Sequence, residues 1–113
     1  MARYLISFND GDMTFPQEDL PAVASAARTV MREAKDAGVW VFGAGVFPAD
    51  EVTVVDTDGS VTDGRAPGRD SYIGGFSIID VPSREEALRW GEKLAVACRC
   101  AQDVRELMPD DEA

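Results

Sequence analysis

The chain has no histidine and only two cysteines among its 113 residues. Without histidine it lacks the commonest general base, any Ser-His or Cys-His nucleophile pair, and the usual haem ligand. Acid–base chemistry would fall to a carboxylate, a tyrosine, a lysine or a cysteine. Cys98 and Cys100 stand one residue apart. That spacing suits an intrachain disulfide poorly, and two cysteines alone do not complete a four-ligand zinc site. They read as small, half-buried side chains of a cytoplasmic protein, with a redox pair as the alternative. Positive charge is also scarce. Eleven Lys and Arg face twenty-one Asp and Glu, a net charge of −10. Phosphate contacts need clustered bases, so neither nucleic acid nor an anionic membrane surface is an expected partner. No apolar run approaches the roughly 18–20 residues that cross a bilayer, and no basic-then-apolar secretory leader is seen.

What remains is a chain with enough apolar residues, 45% of the total, to build one modest core. Residues 1–109 read as a single domain. Residues 110–113, with Asp110-Asp111-Glu112, read as a short acidic tail. Tyr4-Leu5-Ile6-Ser7-Phe8 is β-branched and aromatic and ends at Asn9-Asp10-Gly11-Asp12, a strand followed by a turn. The aspartates of that turn resemble part of a calcium loop but lack its later ligands and its bidentate glutamate.

From Leu20, apolar side chains recur at Val23, Ala24, Ala27, Val30, Met31 and Ala34, one helical stripe. Arg28, Arg32 and Lys35 lie off it. Pro21 suits a first helical turn, and Gly38 a left-handed C-terminal cap. Val39-Trp40-Val41-Phe42 is apolar at both alternate sets, which asks for cover on both faces of that strand. Val52 to Val55 and Ser60 to Thr62 flank Asp58-Gly59, a hairpin signal. Residues 63–71 form a loop, and Gly75 to Val81 is the next strand. Ser83-Arg84-Glu85-Glu86 has the spacing of a capping box, and the helix behind it carries Ala87, Leu88, Gly91, Leu94 and Ala95 on one face. Val104 to Met108 is the last strand, ending at Pro109.

Strand, helix, strand, hairpin, strand, helix, strand is an α+β, ferredoxin-like βαββαβ plan with an added β-hairpin. One layer of helices covers only one face of such a sheet. The doubly apolar second strand is therefore expected to meet a second copy of the chain, sheet against sheet, in a symmetric homodimer.

Several residues stand out for chemistry. Asp63 is a carboxylate at a strand end beside a loop, and so a candidate base or polar contact. Asp-Gly is equally ordinary turn chemistry. Gly64 serves backbone geometry in either case. Arg65 and Arg69 flank the loop and offer themselves to a carboxylate or phosphate, or simply to solvent. Trp40, Phe42 and Phe76 are candidates for a ligand pocket between subunits, or for core and interface. Ser77 points away from Phe76 and Ile78, either into a cleft or beneath a helix. Gly74-Gly75 reads as a bulge, with a close backbone approach to a ligand or another strand as the alternative. Gly43-x-Gly45 lacks the third glycine and the following helix of a phosphate loop. Neither a cofactor nor a metal is expected.

Val61-Thr62-Asp63-Gly64, Gly74-Gly75-Phe76, a strand ending Asp80-Val81, and Glu86-Ala87-Leu88 with Trp90 resemble the YCII-related proteins of the DGPF type. Tyr4-Leu5-Ile6 and Ala37-Gly38-Val39 fit the same pattern. Arg65-Ala66 stands where the motif has Pro-Phe, so only Asp63-Gly64 carries over. The resemblance implies a dimeric α+β barrel. The second covered face and the missing histidine point to a small soluble protein that binds a small molecule in the sheet–sheet cleft of a homodimer. A lyase or cofactor-independent oxygenase using Asp63 as acid–base, and a regulatory or interaction protein, are the alternatives. The His-Asp pair of related lyases has no counterpart, because the first helix holds no histidine.

Overall fold

Alternation along the two long strands sets the architecture. A computed structural model describes residues 1–112. β1 (Ala2–Asn9) leads to α1 (Leu20–Asp36) and β2 (Trp40–Gly45). A hairpin of β3 (Thr53–Val55) and β4 (Val61–Asp63) follows, then β5 (Ile73–Val81), α2 (Arg84–Cys98) and β6 (Asp103–Glu106). β2, β5, β1 and β6 form one antiparallel sheet in that order, and β3 and β4 pair separately. Without the hairpin this is the ferredoxin-like strand order, each helix crossing over one intervening strand. The last strand is shorter than its sequence suggests. The Leu107 amide still donates to the Arg3 carbonyl at 2.9 Å, but Met108 has left the sheet and is exposed.

On β1 and β5, Tyr4 pairs with Ile79 and Ile6 with Ser77, all on the face toward the helices. Tyr4, Ile6, Ile79 and Val81 pack there with Val30 and Ala34 of α1 and with Ala87, Leu94 and Ala97 of α2. Full burial of Ile6, Ile79 and Val81 is worth about 1.5–3 kcal/mol each. α1 carries Pro21 in its first turn, and Gly38 follows it at φ 76°. Ser83 caps α2 by accepting from the Glu86 amide at 3.2 Å. Only half of the expected capping box forms, since the Glu86 carboxylate takes a hydrogen bond from Arg89 at 2.9 Å.

The helices cover one face only. The other carries Leu5, Phe42, Phe76 and Ile78, with Leu5 opposite Ile78 and Phe42 also opposite Ile78. Phe42 is 57% exposed and packs its ring on Phe76 with centroids 6.0 Å apart. The molecule measures 43 × 43 × 19 Å with a radius of gyration of 15.7 Å. A compact domain of about 100 residues has a radius near 13 Å, so this chain is a thin slab with an extended hairpin. No helix of the described residues is long and apolar enough to cross a membrane.

Candidate functional site

Small residues at one end of the sheet create a cavity beneath α1. Gly43 on β2 pairs with Ser77, and Gly45 pairs with Gly75, so the helix-facing side of these strands carries almost no side-chain bulk. Above it, α1 presents Ala24 and Ala27, which are too short to reach the sheet. A cavity of about 350 Å³ results. Its walls include Ile6, Phe8, Trp40, Met13, Leu20, Val23, Met31, Leu94 and Cys98. The core proper lies at the other end of the sheet, where Val30 and Ala34 of the same helix are buried.

The glycines also let two rings lie close to the sheet. A Cβ on Gly43 would sit 2.6 Å from the Trp40 ring and 2.8 Å from the Phe76 carbonyl oxygen. A Cβ on Gly75 would sit 2.6 Å from the Phe8 ring. Phe8 opposes Gly75 while Asn9 opposes Ile73, so Gly74 is the extra residue of a bulge, as its sequence suggests.

Polar groups in this cavity are few. Ser77 lines the cavity and is 9% exposed as a residue. Gln102 borders the cavity and donates to the Cys100 carbonyl at 3.4 Å. Cys98 is a free, buried thiol. Burial, and then the neighbouring Cys100, push its thiol above the ordinary range. Arg28 is the one charged residue in the lining, and no described acid pairs with it.

The residues singled out in the sequence are divided among three places. Trp40 and Ser77 line the cavity, and so does Phe76. By strand alternation the Phe76 ring belongs to the open face, so its main chain is what borders the cavity. Phe42 stands on that open face. Asp63, Gly64 and Arg65 lie on the hairpin and the loop after it. Asp63 is exposed and accepts from the Thr53 hydroxyl at 3.0 Å. Gly64 adopts φ 97°, and its amide donates to the Val52 carbonyl at 2.8 Å, closing the hairpin base. Arg65 reaches Asp50 at 3.3 Å and Asp10 at 3.4 Å, and its guanidinium lies 5.7 Å from the Tyr72 ring centre. Its positive charge is thus already matched. The Tyr72 hydroxyl accepts from the Ala66 amide at 2.8 Å, with Arg69 on the ring as well. These contacts fasten the loop to the end of β1. None of the three residues borders the cavity.

Arg28, Gln102 and Cys98 were not legible as site residues. Arg28 falls beside the apolar stripe of α1, yet its helical neighbours at minus four and plus three, Ala24 and Met31, both border the cavity. Two alanines on a core-facing stripe, opposite glycines in register, were the signal for a void. No group of described residues has the donors for a metal ion. The family model of the YCII-related domain matches residues 2–109. No curated protein matches the chain.

Proposed function

Because the chain belongs to the YCII-related domain family, we propose that it is a small-molecule-binding protein that works as a homodimer, with its ligand held in the cavity between α1 and the glycine-rich end of the sheet. The observation that carries this reading is the cavity. It is mostly apolar, with a few placed polar groups, as ligand sites are, and its volume lies within the usual range of roughly 300–1,000 Å³. Two unpaired thiols support a cytoplasmic setting. The Asp63-Gly64 turn supports a place near the DGPF-type members.

The uncovered sheet face supports the homodimer. Phe42, Phe76, Ile78 and Leu5 make an apolar surface on a slab only 19 Å thick. Arg3 and Asp80 pair across it at 3.7 Å, and the second Asp80 oxygen is buried without a hydrogen-bond partner among the described residues. A buried carboxylate oxygen left so is costly, and a donor from a second copy would relieve it. Asp63 as an acid–base has less support, since it sits on the hairpin with Thr53 as its partner.

A native mass spectrum of the purified protein tests both parts. A dimer, with or without a retained small molecule, is expected. A monomer would overturn the sheet-to-sheet assembly. For the cavity, Gly45→Leu is diagnostic. A Cβ at Gly45 meets nothing within 4 Å, so the side chain fits the fold and fills the void. The variant should fold normally and lose affinity for 2-naphthamide, a neutral apolar probe. Undiminished binding would put the ligand elsewhere.

A further inference from the structure

We propose that the cavity selects organic acids: a ring or short apolar body bearing one carboxylate, which pairs with Arg28, and a second hydrogen-bonding atom, which meets the Ser77 hydroxyl. The proposal rests on the cavity being the binding site and adds the chemistry of its occupant.

The charge distribution carries it. Acids outnumber bases by twenty-one to eleven in this chain, yet no Asp or Glu lines the cavity and one arginine does. Five of the eleven bases, Arg3, Arg65, Arg89, Lys93 and Arg99, are held in ion pairs. Arg28 has none. Arg28 borders this apolar space and no carboxylate shares its walls. A guanidinium brought to such an edge presents a planar set of donors suited to a bidentate carboxylate. The surrounding surface is acidic and disfavours anions at a distance. Recognition of an acid therefore depends on this one local charge.

Ser77 supplies the second point. It is flanked in register by Ile6 and Gly43, both on the helix-facing side, and is buried among apolar neighbours. Its hydroxyl, in a residue that lines the cavity, can donate to or accept from a ligand atom. The space between is bounded by Trp40, Phe8, Val23 and Leu94 and suits an apolar body. Leu20 and Arg28 are exposed and Ser77 is not, so the acid end lies toward solvent and the second polar atom lies inside.

Titration calorimetry on the intact protein with 2-naphthoate, 2-naphthamide and 6-hydroxy-2-naphthoate separates the parts. The wild-type protein should bind naphthoate about tenfold more tightly than naphthamide, the gain of a charge-assisted hydrogen-bond pair. Arg28→Gln should abolish that preference, read as the ratio of the naphthoate and naphthamide affinities. Arg32→Gln removes the same charge from the next turn of α1, outside the cavity, and should preserve the preference. The hydroxylated acid should bind severalfold more tightly than naphthoate, and Ser77→Ala should erase only that difference. Equal binding of naphthoate and naphthamide, or equal loss in the Arg28 and Arg32 variants, overturns selection by Arg28 while leaving the cavity as a site. A hydroxyl that gains nothing, or a gain that survives Ser77→Ala, overturns the role of Ser77. Failure of all three compounds to bind overturns the cavity itself.

Discussion

Cys98 ends α2 with its sulfur against an apolar wall, and that burial is the main reason its thiol is hard to ionise. The Cys100 thiol is also pushed up, by burial and then by the nearby Asp12 carboxylate, against the pull of the Gln102 amide. An unfolded chain ionises such thiols near pH 8.5. A raised folded value means that the stability from keeping Cys98 protonated is fully present below about pH 8.5 and is lost as pH climbs through the folded value. The urea midpoint should thus fall on the alkaline side, and less steeply in Cys98→Ala. A thiol reagent at neutral pH should modify the half-buried Cys100 well before Cys98. Gly43 is the other residue whose role is local. Its neighbours at the missing Cβ include the Phe76 carbonyl, which is backbone and does not yield. Gly43→Ala should cost about 1–3 kcal/mol in chemical denaturation.

Among the elements, the two helices end in different ways. Gly38 takes the left-handed turn after α1 at no steric cost, whereas α2 ends with Arg99 at φ 57°. The Arg99 guanidinium reaches Asp19 at 2.8 Å, just before α1 begins, and lies 5.8 Å from the Phe15 ring centre. That link ties the end of one helix to the start of the other and accounts for a non-glycine cap. The start of α2 rests on a single side-chain bond, so Ser83→Ala should cost about 1 kcal/mol of stability by thermal or urea unfolding. The two helices, the Ser83 cap and the Gly74 bulge were legible because each follows from neighbours in the chain, whereas Leu20 and Leu88, read as part of the apolar stripes, are exposed. The hairpin was legible by its Asp-Gly, although its loop is longer than a two-residue turn. The Asp56 amide donates to the Ser60 carbonyl at 2.9 Å, and Asp58 accepts from the Ser60 amide at the same distance. That bond holds the Asp58 carboxyl below its usual range.

For the whole molecule, the apolar set of Val39 to Phe42 divides between the two faces of one strand. Trp40 opposes Ile79 on the helix side, and Phe42 opposes Ile78 on the open side, with Val41 as the extra residue between them. The Phe42 side is uncovered in the protomer. If a second copy covers it, Phe42→Asp should convert the dimer to a monomer in light scattering while far-UV circular dichroism stays unchanged. Retained dimer in that variant would locate the contact on another surface.

The sequence by itself determined the helices, the strands, their order and the sidedness of the sheet. Each of these rests on periodicity, capping and turn chemistry within a few residues of chain. The family pattern likewise rests on contiguous motifs. It could not say which candidates share a site. In a linear reading Asp63 looks catalytic and Arg65 looks like an anion contact, but the hairpin carries them away from the cavity and pairs Arg65 with Asp10 and Asp50. Arg28 looks like a solvated helix residue, but the register of β2 on β5 sets three glycines beneath α1 and opens a void beside it. Only the packing of distant segments decides where side-chain volume runs short, and in this protein that shortage makes the site.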